Sequence, residues 1–227
     1  MTAAASDVLL ALDTATSHTV VALGDRHGDA VAVESWPAAH RHGEELLPRL
    51  RALLARAGRT LDDVVAIVVG TGPGAFTGLR VGLATAKALA VGLDRPIVGI
   101  ATSTALLAAD ELAGHPAGAG LLLPAGPSDR VLVLGGEARL LTGAAGPEAA
   151  LEGNLVAVDL AGRAPGPALA RGAAAQAGLG AALLRLGARR LEDGHVDDVA
   201  RLVPHYVTLP RGIREEVGEV AWSHGRP

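Results

Sequence analysis

Two stretches of the chain carry residues whose types and spacing could do chemistry. In Asp13-Thr14-Ala15-Thr16 a carboxylate follows an apolar run, where it could hold a hydrated metal while the hydroxyls touch phosphate. The competing reading is a turn in which Asp13 accepts hydrogen bonds from nearby backbone amides. The second stretch is Ala66-Ile67-Val68-Val69-Gly70-Thr71-Gly72-Pro73-Gly74-Ala75-Phe76-Thr77-Gly78-Leu79-Arg80. It reads as a buried strand, a glycine-rich turn stiffened by Pro73, and a small-residue helix that Thr77 could cap. Amides at such a helix start attract anions, which makes Gly72, Gly74 and Thr77 candidate anion-binding residues. The alternative is a structural turn with a partner-binding helix behind it.

Nucleotide motifs demand more than glycine. A P-loop needs G-x-x-x-x-G-K-S/T, in which lysine meets phosphate and the hydroxyl meets magnesium, but here Leu79-Arg80 follows Gly78. Gly70-x-Gly72-x-x-Ala75 fits a relaxed dinucleotide fingerprint, yet Ile97 to Thr102 ends without the acidic residue that would hold the ribose. His40-x-His42 is too closely spaced for one helical face and lacks a third ligand, so no metal site is expected. Ser17-His18 has no nucleophile-elbow pattern around it. The pairs Asp62-Asp63 and Asp197-Asp198 fit helix starts, where carboxylates favour the dipole. None of these forms a catalytic set.

Composition narrows the classes further. The chain has 227 residues, 49% of them hydrophobic and 19% charged, which suits one large or two small globular domains. Aromatics are 2%, so the core must be built from Val, Leu, Ile and Ala. Net charge is −4 without a Lys/Arg run, which argues against strong autonomous binding to nucleic acid. There is no cysteine, hence no disulfide frame or thiol nucleophile. Met1 to Asp7 lacks the features of a signal peptide, and no run reaches the ~18 apolar residues of a membrane span. The expectation is a cytoplasmic protein with no membrane partner.

The elements that must position these residues follow in order. Val8–Leu12, Thr19–Leu23 and Ala30–Glu34 read as an antiparallel meander. Gly43 to Arg56 sets Leu46, Leu47, Leu50, Leu53 and Leu54 on one helical face, and Gly58 closes it. After the glycine-rich strand, turn and helix come a strand at Ile97–Ile100 and a helix from Thr102 or Ser103, one of which caps it, to about Ala113. The order βββαβαβα implies an α/β layer with parallel pairing. Gly114 to Gly118 reads as a lobe boundary. Beyond it, Leu121–Leu123, Arg130–Leu134 and Ala138–Leu141 read as a second meander and Leu155–Asp159 as a strand. Gly162 to Pro167 reads as a loose connection, Ala181–Arg190 as a short helix, His195–Leu202 as another, and Pro204–Pro210 as extended. The predicted division is 1–113, 114–210 and a charged, loosely held tail at 211–227. The helix over Leu79–Val91 is apolar nearly all round, with Arg80 and Lys87 as its charges; that pattern fits either a helix-on-helix interface or burial under the second lobe.

The segment Gly70–Arg80 resembles the G-x-G-P-G-S/A-F-T-G-L/V/I-R signature of the TsaB family, also called YeaZ. Leu10–Thr16, His42-Gly43-Glu44-Glu45-Leu46-Leu47-Pro48 and Pro96–Ser103 stand in the matching order, and the likeness covers Val8 to about Ala113. The resemblance implies an actin-like (ASKHA) fold of two lobes, each on a βββαβα-type mixed sheet with the second degenerate. It implies a non-catalytic role in making threonylcarbamoyladenosine next to the anticodon of tRNAs. A TsaD-like paralogue would carry the metal and transfer threonylcarbamoyl, and a TsaE-like ATPase would join them. No cofactor of its own is implied; ATP/ADP and metal belong to those partners or their interfaces. Pairing with TsaD, or a homodimer when alone, would use the N-terminal helices, through His42, Leu46, Leu47, Leu50, Leu54, Phe76, Arg80, Leu83 and Lys87. Asp13, Thr14 and Thr16 would be a vestigial phosphate loop, with Ala15 where active members of the fold place glycine. Val158-Asp159-Leu160-Ala161-Gly162 replaces the D-x-G-G-type loop of the second lobe, and Pro124 to Val131 stands where the family often shows D-A-R-x-x-E-V-Y. The competing reading is an independent hydrolase of this fold, cleaving ATP or acting as a metal-dependent peptidase.

Overall fold

Alternate residues of β1 (Val8–Asp13) face opposite layers, and this period of two organises the molecule. The structure is a computed structural model and describes residues 7–37, 42–142, 151 and 153–207. Leu10 and Leu12 join Val21, Leu23, Ile67, Val69 and Ile97 on one face, while Leu9 and Ala11 join Val20, Ala22, Ala66, Val68 and Val98 on the other. A sheet covered on both sides must read as continuous apolar runs, as β1, β2 (His18–Gly24) and β4 (Val64–Gly70) do. With β3 (Ala30–Pro37) and β5 (Ile97–Ile100) they form a five-stranded sheet in the order β3-β2-β1-β4-β5. The β1–β2–β3 meander is antiparallel, and β1–β4 and β4–β5 are parallel.

α1 (His42–Arg56) and α2 (Phe76–Leu93) cover the first face. Arg49 ties α1 to β3 through Glu34 at 3.0 Å, and its guanidinium lies 4.7 Å from the centre of the Trp36 ring. By length and composition α2 is long and apolar enough to cross a membrane, and it is the one such helix among the described residues. It buries Gly78, Leu79, Gly82, Leu83, Ala86 and Ala90, as a core helix does.

The second face is covered by α3 (Thr102–Leu112) and α4 (Gly166–Glu192), which also meet the second sheet. That sheet holds β6 (Gly120–Pro124), β7 (Arg130–Leu134), β8 (Glu137–Leu141) and β9 (Leu155–Ala157) in the order β8-β7-β6-β9. Its antiparallel meander followed by a parallel strand repeats the first sheet with one strand fewer. The result is an actin-like α/β architecture of two mixed sheets with helices between them. Buried Asp110 on α3 pairs with Arg171 on α4 and lies 2.8 Å from His115, so the junction between the halves holds a buried ion pair.

Two readings of the second half are corrected. The short helix expected at Ala181–Arg190 is a 27-residue helix that begins in the Gly162–Pro167 stretch, with Pro near its first turn where a missing N–H costs nothing. Its glycines looked like a loop because they permit close approach instead: a Cβ at Gly172 would fall on the Ala157 carbonyl, and one at Gly187 on Val68. No helix forms over His195–Leu202. Asp197 pairs antiparallel with Ile97 on the free edge of β5, and its carboxylate accepts the Gly99 amide at 2.8 Å. Asp197 is therefore edge cover, while Asp198 opens a single turn, its carboxylate accepting the Ala200 amide at 2.8 Å. The tail expected at 211–227, and Thr208 to Pro210 before it, lie outside the described residues.

Candidate functional site

The end of β1 is held by its own side chains. Asp13 is fully buried; its Oδ1 accepts the Ala15 amide at 2.7 Å and its Oδ2 the Thr102 hydroxyl at 2.6 Å. Burial pushes the Asp13 carboxyl up from 3.8 to about 6, against the lowering pull of the Thr102 and Ala15 hydrogen bonds. Gly70 is glycine because a Cβ there would fall on Asp13 Oδ2. Thr14 donates to the Gly78 carbonyl at 2.6 Å, and a Cβ at Gly82 would fall on the Thr14 hydroxyl. Gly78 and Gly82, one helical turn apart, thus form a seat on α2 for the loop after β1.

The glycine-rich turn is built against the same loop. Ala75 donates to Ala15 O at 2.7 Å, and a Cβ at Gly74 would strike that carbonyl. Gly72 has φ +96, and its N–H donates to Thr102 Oγ1 at 2.9 Å. Thr102 N donates back to Gly72 O at 2.7 Å. Two capping expectations are corrected here. Ala75 is the N-cap of α2 without a side-chain cap bond, because the 13–17 loop orients the turn, and Thr77 lies exposed in the first turn. Likewise Ala101 precedes α3 without a side-chain cap bond; the Thr102 hydroxyl is engaged with Asp13 and Gly72 and cannot serve as a cap, and Ser103 lies inside the helix.

Across the cleft stands Asp159, in the Val158–Gly162 segment of the second half, with φ +58. Its Oδ2 accepts the Ser17 amide at 2.6 Å; its Oδ1 accepts the Ser17 hydroxyl in a short bond and the Gln176 amide of α4 at 3.1 Å. Ser17 Oγ also lies 3.2 Å from His18 Nδ1. Ser, His and Asp meet here, but in the wrong order for nucleophilic catalysis. The serine contacts both partners directly, so its one proton goes to the carboxylate and the imidazole is not the base between them.

Nucleotide phosphates would need free amide donors from the loop after β1. Those of Ala15, Ser17 and His18 are engaged with Asp13, Asp159 and Thr16 Oγ1 respectively. Lys87, the single lysine, lies on α2 with Nζ at 3.4 Å from Ala200 O. These residues do not fit a bound nucleotide. Among the described residues, no three His, Cys, Asp or Glu side chains converge into a metal set.

The helix pair divides the sequence candidates. Leu46, Leu50, Leu54 and Leu83 are buried in the chain's own core beneath the helices, Leu83 at 5% exposure. Leu47 is 46% exposed on α1 and Val91 70% exposed on α2. Phe76 and Arg80 form a clasp at the start of α2: the Arg80 guanidinium sits 3.8 Å from the centre of the Phe76 ring, and Tyr206 stacks 5.1 Å from that ring while accepting from Arg80 Nε at 3.2 Å. A groove of about 330 Å³ follows along α2, lined by Arg80, Leu83, Lys87, Leu202, Val203 and Tyr206 among others. His42 opens α1, and its side chain, like His40, lies outside the described residues. Asp159 lies in the Val158–Gly162 segment that the family resemblance set in place of the second lobe's phosphate loop, but its bond to Ser17 was not foreseen. Sequence reasoning missed Thr102 and Gln176 as cleft residues and Tyr206 as part of the clasp, because a lone hydroxyl, amide or ring far along the chain carries no local signal.

Comparison with known proteins agrees with this architecture. The family described as TsaD, tRNA N6-adenosine threonylcarbamoyltransferase, matches residues 36–204. TsaB of Escherichia coli, a tRNA threonylcarbamoyladenosine biosynthesis protein, is 37% identical over 94 residues, 41% of this chain and 40% of that protein. TsaB of Haemophilus influenzae is 42% identical over 98 residues, 43% of this chain and 41% of its own. An uncharacterized protein of Mycobacterium tuberculosis is 41% identical over 103 residues, 43% of this chain and 47% of its own. The chain thus matches less than half the length of these curated relatives. Two Pseudomonas aeruginosa structures, one of YeaZ and one of a protein described as similar to peptidase YeaZ, are each 26% identical. They superpose at TM-scores of 0.64 and 0.67, over 88% and 89% of this chain and 100% of theirs. The chain belongs to the family of the threonylcarbamoyltransferase TsaD and, within it, to the TsaB (YeaZ) group.

Proposed function

We propose that this chain takes part in making threonylcarbamoyladenosine in tRNA as a non-catalytic subunit. It pairs through α1 and α2 with a TsaD-like paralogue that transfers threonylcarbamoyl, and a TsaE-like ATPase joins the pair. ATP, ADP and metal are handled by those partners. One contrast carries the reading: the donors of the cleft are engaged within the chain, while Leu47 and Val91 stand exposed on helices with well-filled inner faces. The TsaB proteins of Escherichia coli and Haemophilus influenzae, by their names, belong to this biosynthesis. In the absence of the paralogue the same faces pair two copies of the chain.

Co-expression with a TsaD-like protein tests this. Leu47→Glu or Val91→Glu should abolish co-elution while leaving the melting temperature within about 2 °C, since exposed substitutions away from special features change stability by roughly 0.5 kcal/mol or less. Leu83→Glu is unsuited to the test, because it would place a charge in the core. Co-elution that survives both exposed variants, or metal-dependent ATP or peptide hydrolysis by the purified chain alone, contradicts the proposal.

A further inference from the structure

We propose that the groove along α2 seats this chain's own C-terminal segment, residues 213–222, within the same molecule. The lining is mostly apolar: Leu83 and Ala84 of α2 stand with Leu202, Val203 and Pro204, which return from the second half. Val203 is 59% exposed there, so the lining is open to a ligand. The charges of the groove, Arg80 and Lys87, are both positive. Among the described residues they meet neutral partners: the Tyr206 hydroxyl and Phe76 ring for Arg80, the Ala200 carbonyl for Lys87. An apolar trough with two uncompensated cations fits apolar side chains interleaved with carboxylates.

The chain carries such a segment. Ile213, Val217, Val220 and Trp222 are interleaved with Glu215, Glu216 and Glu219, and Arg214 is the one cation among them. The approach starts at the groove itself. Tyr206 stacks on Phe76 at the start of α2, and Val207 then packs against the core under α3 and α4. Leu209-Pro210-Arg211-Gly212 has Pro and Gly at the second and fourth places of a type I turn, which sends the chain back towards α2. Arg80 to Lys87 covers about 10 Å of helix, and Gly212 to Trp222 spans up to about 33 Å when extended, so the carboxylates reach both cations. A segment tethered this closely acts at about millimolar effective concentration, and a partner's acidic segment must displace it. Neither Leu47 nor Val91 lines the groove, so the inference stands or fails apart from the proposed partner role.

The full chain has no cysteine, so Ser223→Cys takes a single nitroxide label beside Trp222. Paramagnetic broadening of the backbone amides is then read along the chain. The expected result is strong broadening at Ala84 and Val203. Lys87→Glu should lower the docked-to-undocked ratio about tenfold, by replacing an attraction with a repulsion. Glu216→Lys with Glu219→Lys in that background should restore the broadening, which mere structural damage from Lys87→Glu would not allow. Val217→Asp with Val220→Asp should also release the segment; it changes the segment alone and carries the test if Lys87→Glu does not fold. Mixing isotope-labelled chain that lacks the nitroxide with nitroxide-bearing chain that lacks the isotope separates sources, because broadening there comes from a second copy. No broadening at Ala84 and Val203 overturns the proposal. So does broadening that these substitutions leave unchanged, or broadening of equal strength in the mixed sample.

Discussion

Asp13 is a carboxylate kept where it costs stability. Its folded pKa is raised to about 6 from 3.8, so the native state holds the proton more tightly than the unfolded chain does. Stability from this group is therefore fully present below about pH 3.8 and is lost as pH rises through 6. The whole effect is about 3 kcal/mol, at 1.36 kcal/mol per pKa unit. Asp13→Asn removes the titration. Urea unfolding between pH 4 and 7 should show the variant gaining on wild type as pH rises through that window, with a constant difference above it. A parallel pair of pH curves would contradict the assignment. Asp13 was legible in the sequence as a carboxylate at the end of an apolar strand, and so was its alternative role as an acceptor for nearby amides, which the Ala15 bond bears out. Its second bond was not legible, because Thr102 lies 89 positions away and its hydroxyl read as a helix cap.

At the scale of elements, glycine explains both what the sequence displayed and what it hid. The turn from Gly70 to Gly78 stood out because its glycines sit between an apolar β-branched strand and a helix. Three of them have a reason to be glycine: Gly70 clears Asp13, Gly74 clears Ala15, and Gly72 adopts φ +96. The strands of both meanders were legible as short apolar runs between turns, α1 from its 3.6-residue leucine face, and α2 from the glycine turn that precedes it. Of α4 only Ala181–Arg190 was legible, because Ala/Gly composition dilutes the apolar stripe of its earlier turns and their glycines mimic a loop. These roles separate experimentally. Gly172→Ala drives a Cβ into the Ala157 carbonyl, and overpacking costs about 1–3 kcal/mol, outweighing the gain of up to about 1 kcal/mol in helix propensity. Gly92→Ala, in α2 with open space around it, should gain up to about 1 kcal/mol. Thermal melts of the two should move in opposite directions; a shift of the same sign would mean that the α4 glycines are not close-approach positions.

The whole molecule places an actin-like cleft and a helix pair on one scaffold and treats them differently. The two halves meet through α3, α4 and the Asp110–Arg171–His115 cluster, and across the cleft Asp159 closes on Ser17. The cleft is filled by the chain itself, whereas α1 and α2 keep apolar side chains in solvent. The central claim is that this protein acts through that helix face and not through its cleft. It is tested most directly by threonylcarbamoyl transfer to tRNA, reconstituted with TsaD-like and TsaE-like proteins and threonylcarbamoyl adenylate supplied. Wild type and a folded Ser17→Ala chain should support equal transfer, while a folded Leu47→Glu chain should lose at least tenfold. Transfer that falls with Ser17→Ala and survives Leu47→Glu would contradict the account.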